Sequence, residues 1–168
     1  TLNAIAKDPM ECLKFDEKNN SDMTDCLNAL LNAIAPPLNQ VAFDLYRKIF
    51  AFIYRLVSHS VELRKIVRTT GRILPTLLMH IESSGENPTS VDGVDNASQA
   101  FLLLERITYG AGEAWSMDDL IELPSFLGRK ILNTEISDSV LKSSICVLRN
   151  LCWELPSFRS IIRREVWH

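Results

Sequence analysis

The sequence predicts an all-α chain in which a small set of helices repeats, the pattern of a helical solenoid. Three observations carry that expectation. Apolar residues recur at spacings of three and four along most of the chain, with almost none of the strict alternation of a strand. Proline and glycine fall mainly between the periodic stretches, where they punctuate helices. A shift of 95 residues brings 50–57 into register with 145–152 and 63–67 with 158–162.

Residues 2–15 are weakly periodic and interrupted by Asp8-Pro9, and the polar run 16–21 reads as a turn. From Asp22 onward Leu27, Leu30, Leu31 and Ile34 mark a helix that Pro36-Pro37 ends. A long helix over 38–58 follows, with Val41, Leu45, Ile49, Phe52, Ile53 and Leu56 stepping by three and four. Phe50, Ala51 and Tyr54 widen its stripe, which predicts cover on more than one side. A short basic amphipathic helix spans 61–70, carries Leu63, Ile66 and Val67, and stops at Gly71. The apolar helix over 73–81 tolerates Pro75 in its first turn. Residues 82–98, ESSGENPTSVDGVDNAS, are breakers and small polar residues and read as a flexible loop.

Helix resumes over 100–107 and breaks at Tyr109-Gly110-Ala111-Gly112. Short helices are expected over 117–121 and 124–132, then a strongly periodic one over 137–153 with Val140, Leu141, Ile145, Leu148, Leu151 and Cys152. Pro156 opens a last helix through Phe158, Ile161 and Ile162 to Val166. The string ELPSF occurs at 122–126 and again at 154–158; the repeat register assigns the copies to different helices of the unit, so the match reads as coincidence.

Length and composition limit the function. At 168 residues and 46% hydrophobic, the chain suits one domain over 1–168 with a real core. Lys and Arg total 18 against 21 Asp and Glu, a net charge of −3, which disfavours nucleic acid as the main partner. No apolar run reaches the roughly 18–20 residues of a membrane span, and the opening residues lack the pattern of a signal peptide. The cysteines Cys12, Cys26, Cys146 and Cys152 form no CxxC pair, and with a core this size no disulfide framework is needed. A reducing compartment, cytosol or nucleus, is the expectation, despite sequons at Asn19 and Asn96.

The long helices centre on equivalent positions Arg55, Arg106 and Asn150, 51 and 44 residues apart. Periods of roughly 40–47 residues with two or three helices mark helical solenoids. Residues 139–152, SVLKSSICVLRNLC, resemble the third helix of the armadillo family, which ends in a small-residue and Leu-x-Asn-Leu pattern. Residues 62–81 resemble its first and second helices, with Arg64, an Ile-Val pair, Gly71 and an Ile-Leu-Pro-x-Leu-Leu run. The resemblance spans about 22–166 and extends to the related HEAT repeats. It implies a right-handed superhelical solenoid of about three to four armadillo-like repeats, with units near 22–58, 59–109, 115–153 and a partial 154–168.

In that family the third helices line a concave groove for extended peptides or partner surfaces. Carried over by position, the groove here comprises Ala51 with Arg55, Leu102 with Arg106, and Cys146 with Asn150. Members that bind peptides often hold tryptophan and asparagine at these places; here only Asn150 matches, and Arg55 and Arg106 favour an acidic or carboxylate-bearing protein partner. Leu148, Leu151, Phe158, Ile161 and Trp167 also suggest an apolar repeat end able to self-associate or meet a neighbour.

Catalytic and metal motifs are missing from the sequence. His59, His80 and His168 lack ligand spacing, Gly110-Ala111-Gly112 lacks the rest of a phosphate loop, and no G-x-S-x-G elbow occurs. Asp118, Asp119 and Glu122 suit a helix start better than an acid/base pair. No enzyme activity and no cofactor are expected. Two basic clusters, Arg64, Lys65, Arg68 and Arg72, then Arg159, Arg163 and Arg164, read first as solvated faces and second as contacts for an acidic protein segment; the alternative is a subunit of a chromatin or nucleic-acid-associated assembly in which they contact phosphate.

Overall fold

The computed structural model describes residues 17–33, 43–69, 73–85, 91–110, 115, 120–133 and 137–166. Among the described residues there are eight α-helices and no strand. They are α1 (Glu17–Ala33), α2 (Phe43–His59), α3 (Val61–Thr69), α4 (Ile73–Gly85), α5 (Val91–Thr108), α6 (Leu123–Leu132), α7 (Asp138–Glu154) and α8 (Pro156–Val166).

Local chemistry sets the boundaries. Ser60 alone separates α2 from α3; its Oγ accepts from the Leu63 amide at 3.2 Å, and its carbonyl accepts from the Arg64 amide, as a helix N-cap does. Gly110, with φ of 68°, takes the left-handed turn just beyond α5 that a side chain would resist. Ser137 caps α7 by accepting from the Val140 amide, and Asp138 adds negative charge where the helix dipole favours it. The two ELPSF copies prove physically alike. Pro124 lies in the first turn of α6 and Pro156 begins α8, where a missing N–H costs nothing, and Phe126 and Phe158 are both buried.

Helix α5 is the hub, packed along α2, α4 and α7. The second tier, α6 with α8, lies against α7, while short α3 touches α1, α2, α4 and α5. One continuous core runs through these contacts, with Phe50, Ile53, Leu77, Phe101, Leu104, Leu127, Val147, Leu151 and Phe158 among its members. Each such side chain contributes roughly 1.5–3 kcal/mol of burial, so the seams between helices carry the fold. The long helices α2, α5 and α7 are those that the 51- and 44-residue spacings make equivalent, and they pack in that order. The buried faces of α2 and α5 correspond at the expected shift of 51, but those of α5 and α7 correspond at 43, one residue short of the expected 44. Phe50 and Phe101 are 0% exposed; Ile145, which the expected register matches to them, is 50% exposed, and Ser144 takes the buried place at 0%. Leu148 and Cys152 are likewise more open than the residues that the expected register matches to them in α2 and α5.

Two expectations are corrected. Residues 17–21, read as a turn from their polarity, belong to α1. The expected flexible loop over 82–98 is largely helical: α4 continues to Gly85 and α5 begins at Val91, leaving only 86–90 outside the described residues. Packing against three neighbours favours a longer α5 than its own propensity would. Residues 2–15, Gly71, Arg72, the expected helix at 117–121 up to Asp119, and Trp167 lie outside the described residues.

Candidate functional site

An open hollow of about 210 Å³ lies where α2, α5 and α7 meet. Leu102, Glu105, Arg106 and Tyr109 border it from the α5 side, Arg149 and Asn150 from α7, and Tyr54 from α2. Three of the six expected groove residues, Leu102, Arg106 and Asn150, therefore share one site. Ala51 is half-buried and Arg55 exposed on α2, and Cys146 is half-buried on α7; none of these three lines the hollow. Tyr54, Glu105, Tyr109 and Arg149 complete the lining. Arg149 stands 43 residues after Arg106, the shift at which the buried faces of α5 and α7 coincide.

Asn150 joins α7 to the end of α5. Its Nδ2 donates to the Glu105 carbonyl at 3.0 Å and to the Thr108 Oγ1 at 3.3 Å, and its Oδ1 accepts from Arg149 Nη2 at 3.4 Å. The amide is buried, and these bonds meet the requirement that a buried polar group find partners. Arg106 is held differently: its guanidinium stands 5.7 Å from the centre of the Tyr54 ring, within cation–π range.

The basic cluster on α3 is corrected by burial. Arg68, expected on a solvated face, is 3% exposed. Its guanidinium donates to the carbonyls of Ile107 at 2.6 Å, Tyr109 at 2.6 Å and Gly110 at 2.8 Å. These oxygens lie at the negative end of the α5 dipole, where the last carbonyls of a helix lack intrahelical donors. Trp115 completes the anchorage by donating Nε1 to the Arg68 carbonyl at 3.2 Å. Burial, with Arg64 adding to it and Glu154 opposing, lowers the Arg68 pKa to about 10, which leaves it cationic at neutral pH.

Arg64 is half-buried; it donates to the Tyr109 carbonyl at 3.4 Å and lies 5.7 Å from that ring's centre. Two residues of the expected docking patch thus position a wall of the hollow. Lys65 remains exposed and pairs with Glu62 at 3.5 Å. On α8, Arg163 and Arg164 are exposed, and Arg159 donates to the Cys152 carbonyl. Burial pushes the Cys152 thiol pKa up, and Arg159 offsets part of that.

Among the described residues no cluster of His, Cys, Asp and Glu could hold a metal ion, and no helix is long and apolar enough to cross a membrane. No curated protein and no solved structure matches the chain. A family match does exist, described as CIP2A, N-terminal, and it covers residues 2–165. With nearly the whole sequence inside that match and an all-helical architecture beneath it, the chain belongs to the CIP2A N-terminal family.

Proposed function

We propose that this chain is a noncatalytic protein–protein interaction module of a scaffold or regulatory protein, which binds its partner across the face shared by α2, α5 and α7. The family is of the interaction-scaffold and regulatory kind, which supports the general reading. The observation that carries the finer one is the ordered packing of α2, α5 and α7, whose buried faces repeat at shifts of 51 and 43 residues. Consecutive armadillo-like layers in a right-handed superhelix account for that order, and their third helices would form a concave groove. Exposed Arg55 and the stacked Arg106 favour an acidic protein segment as the occupant. Cys26, Cys146 and Cys152 are free thiols, which suits a reducing cytosol or nucleus.

A second contact surface is favoured by the open face of α7, where Trp153 is 79% exposed and Ile145 half exposed. Self-association or a neighbouring helical layer would cover it. Phosphate binding through the basic clusters has less support, because Arg68 is committed to α5 and Arg64 to Tyr109.

Affinity capture with the wild-type chain and with Arg55→Glu/Arg106→Glu tests the leading reading. Partners retained by the wild type should be lost from the double variant while its unfolding midpoint stays unchanged. Equal capture by both, or loss of capture only on mutation of the exposed residues of α8, would sink it.

A further inference from the structure

The hollow between α5 and α7 is built for a narrower task than a general interaction face. We propose that it is a receptor for one side-chain carboxylate of an acidic peptide segment, with Arg106 and Arg149 as the donors; the inference rests on the groove reading above. Stacking on Tyr54 leaves the in-plane N–H edge of Arg106 available, and among the described residues Arg106 has no hydrogen bond or ion pair. Arg149 uses one long hydrogen bond, to Asn150, and the Asn150 amide is fixed in turn by the Glu105 carbonyl and Thr108. The two guanidinium groups border one opening and are held from different sides, as carboxylate capture requires.

Size and charge refine the ligand class. About 210 Å³ falls below the roughly 300–1,000 Å³ of small-molecule pockets, so the space suits a single side chain. Glu105 shares the lining, yet no ion pair joins it to either arginine among the described residues. Two formal positive charges against one negative leave room for a monoanion. A phosphate dianion would add repulsion from Glu105, so the site selects glutamate or aspartate over a phosphorylated residue. Leu102 and the Tyr109 ring supply apolar walls for the methylene stem of that side chain.

The test is NMR titration of the 168-residue chain with three capped pentapeptides, Ala-Leu-Glu-Leu-Ala and its glutamine and phosphoserine versions, reading the Nε–Hε signals of arginine. The glutamate peptide should shift Arg106 and Arg149 together and bind at least about tenfold more tightly than the glutamine peptide, the ratio expected for charge-assisted hydrogen bonds. Arg106→Gln should erase that ratio without moving the unfolding midpoint. Glu105→Gln should raise phosphoserine binding to the glutamate level. If both neutral and acidic peptides shift amides along α2, α5 and α7 equally, the carboxylate receptor is wrong and the groove stands. Shifts confined to other faces overturn both, and unmoved Arg106 and Arg149 signals at about 10 mM glutamate peptide, tenfold above a millimolar Kd, overturn the receptor.

Discussion

Arg68 Nη2 lies 2.6 Å from the carbonyl oxygen of Tyr109, so a side chain of α3 closes the end of α5 forty-one residues downstream. The same guanidinium reaches Ile107 and Gly110, and the turn they form holds Tyr109 at the rim of the hollow. Fold and site are coupled through one buried cation.

Removing that cation should be costly. Arg68→Met keeps the apolar stem but leaves the Ile107 and Gly110 carbonyls without their donor and Tyr109 with only the long bond from Arg64, and a loss of about 2–4 kcal/mol is expected from the usual cost of orphaned buried groups. Arg68→Lys should recover only part, since an ammonium cannot reproduce a planar fork spanning three acceptors. Urea unfolding of the three proteins gives the comparison. A loss under half a kcal/mol for Arg68→Met would mean that water or a neighbour takes over the carbonyls.

Asn150 offers a second test of coupling between helices. Asn150→Ala should lower stability by roughly 1–3 kcal/mol, because the Glu105 carbonyl and the Thr108 hydroxyl lose their shared donor. Asn150→Asp should be worse at neutral pH, since a carboxylate has no proton to give the Glu105 carbonyl and sits buried beside it. Lowering the pH toward the carboxylate range should narrow the gap between Asp and Ala. Denaturant midpoints at pH 7 and pH 4 measure this, and equal losses at both would contradict it.

The sequence discloses the helices well and the site by half. Helices α2, α3, α6, α7 and α8 lie within a few residues of their apolar periods, because proline, serine and glycine stand at their ends. Ser83, Ser84 and Asp92 to Asp95 look like loop because their own propensity is weak, and only packing of α4 and α5 on their neighbours overrides it. Of the six positions the register chose, Leu102, Arg106 and Asn150 line the hollow and Ala51, Arg55 and Cys146 do not. It missed Tyr54, Glu105, Tyr109 and Arg149, in part because the buried face of α7 runs one residue out of the expected register, which makes Arg149 rather than Asn150 the counterpart of Arg106. Arg68 is the hardest case: its partners are distant in sequence, and a buried cap and a solvated arginine are written with the same letter.

Thiol chemistry checks burial independently. Burial pushes the Cys152 pKa up, with Arg159 returning only part of the shift, while Cys26 is exposed on α1. A smaller thiolate fraction and poorer access both slow alkylation. With iodoacetamide at pH 8, peptide mapping should find Cys26 modified well before Cys152, with the gap narrowing as pH rises. Faster labelling of Cys152 would show that α7 and α8 separate readily in solution.

The register between α2 and α7 makes a sharper prediction. The expected shift of 95 matches Phe50 to Ile145, yet one is 0% and the other 50% exposed, and Ser144, one residue earlier, takes the buried place. Phe50→Ala should cost about 3–5 kcal/mol, the loss of a buried ring plus the cavity it leaves between α2, α4 and α5. Ile145→Ala should change stability by no more than about 0.5 kcal/mol, since little burial is lost and alanine is the better helix former. Chemical denaturation of both variants decides the matter at low protein concentration. Repeated at high concentration, Ile145→Ala and Trp153→Gln should begin to cost stability only if the open face of α7 is the surface through which copies associate. A large loss for Ile145→Ala in the dilute sample would instead mean that this face is already covered within the chain, as the expected shift of 95 requires.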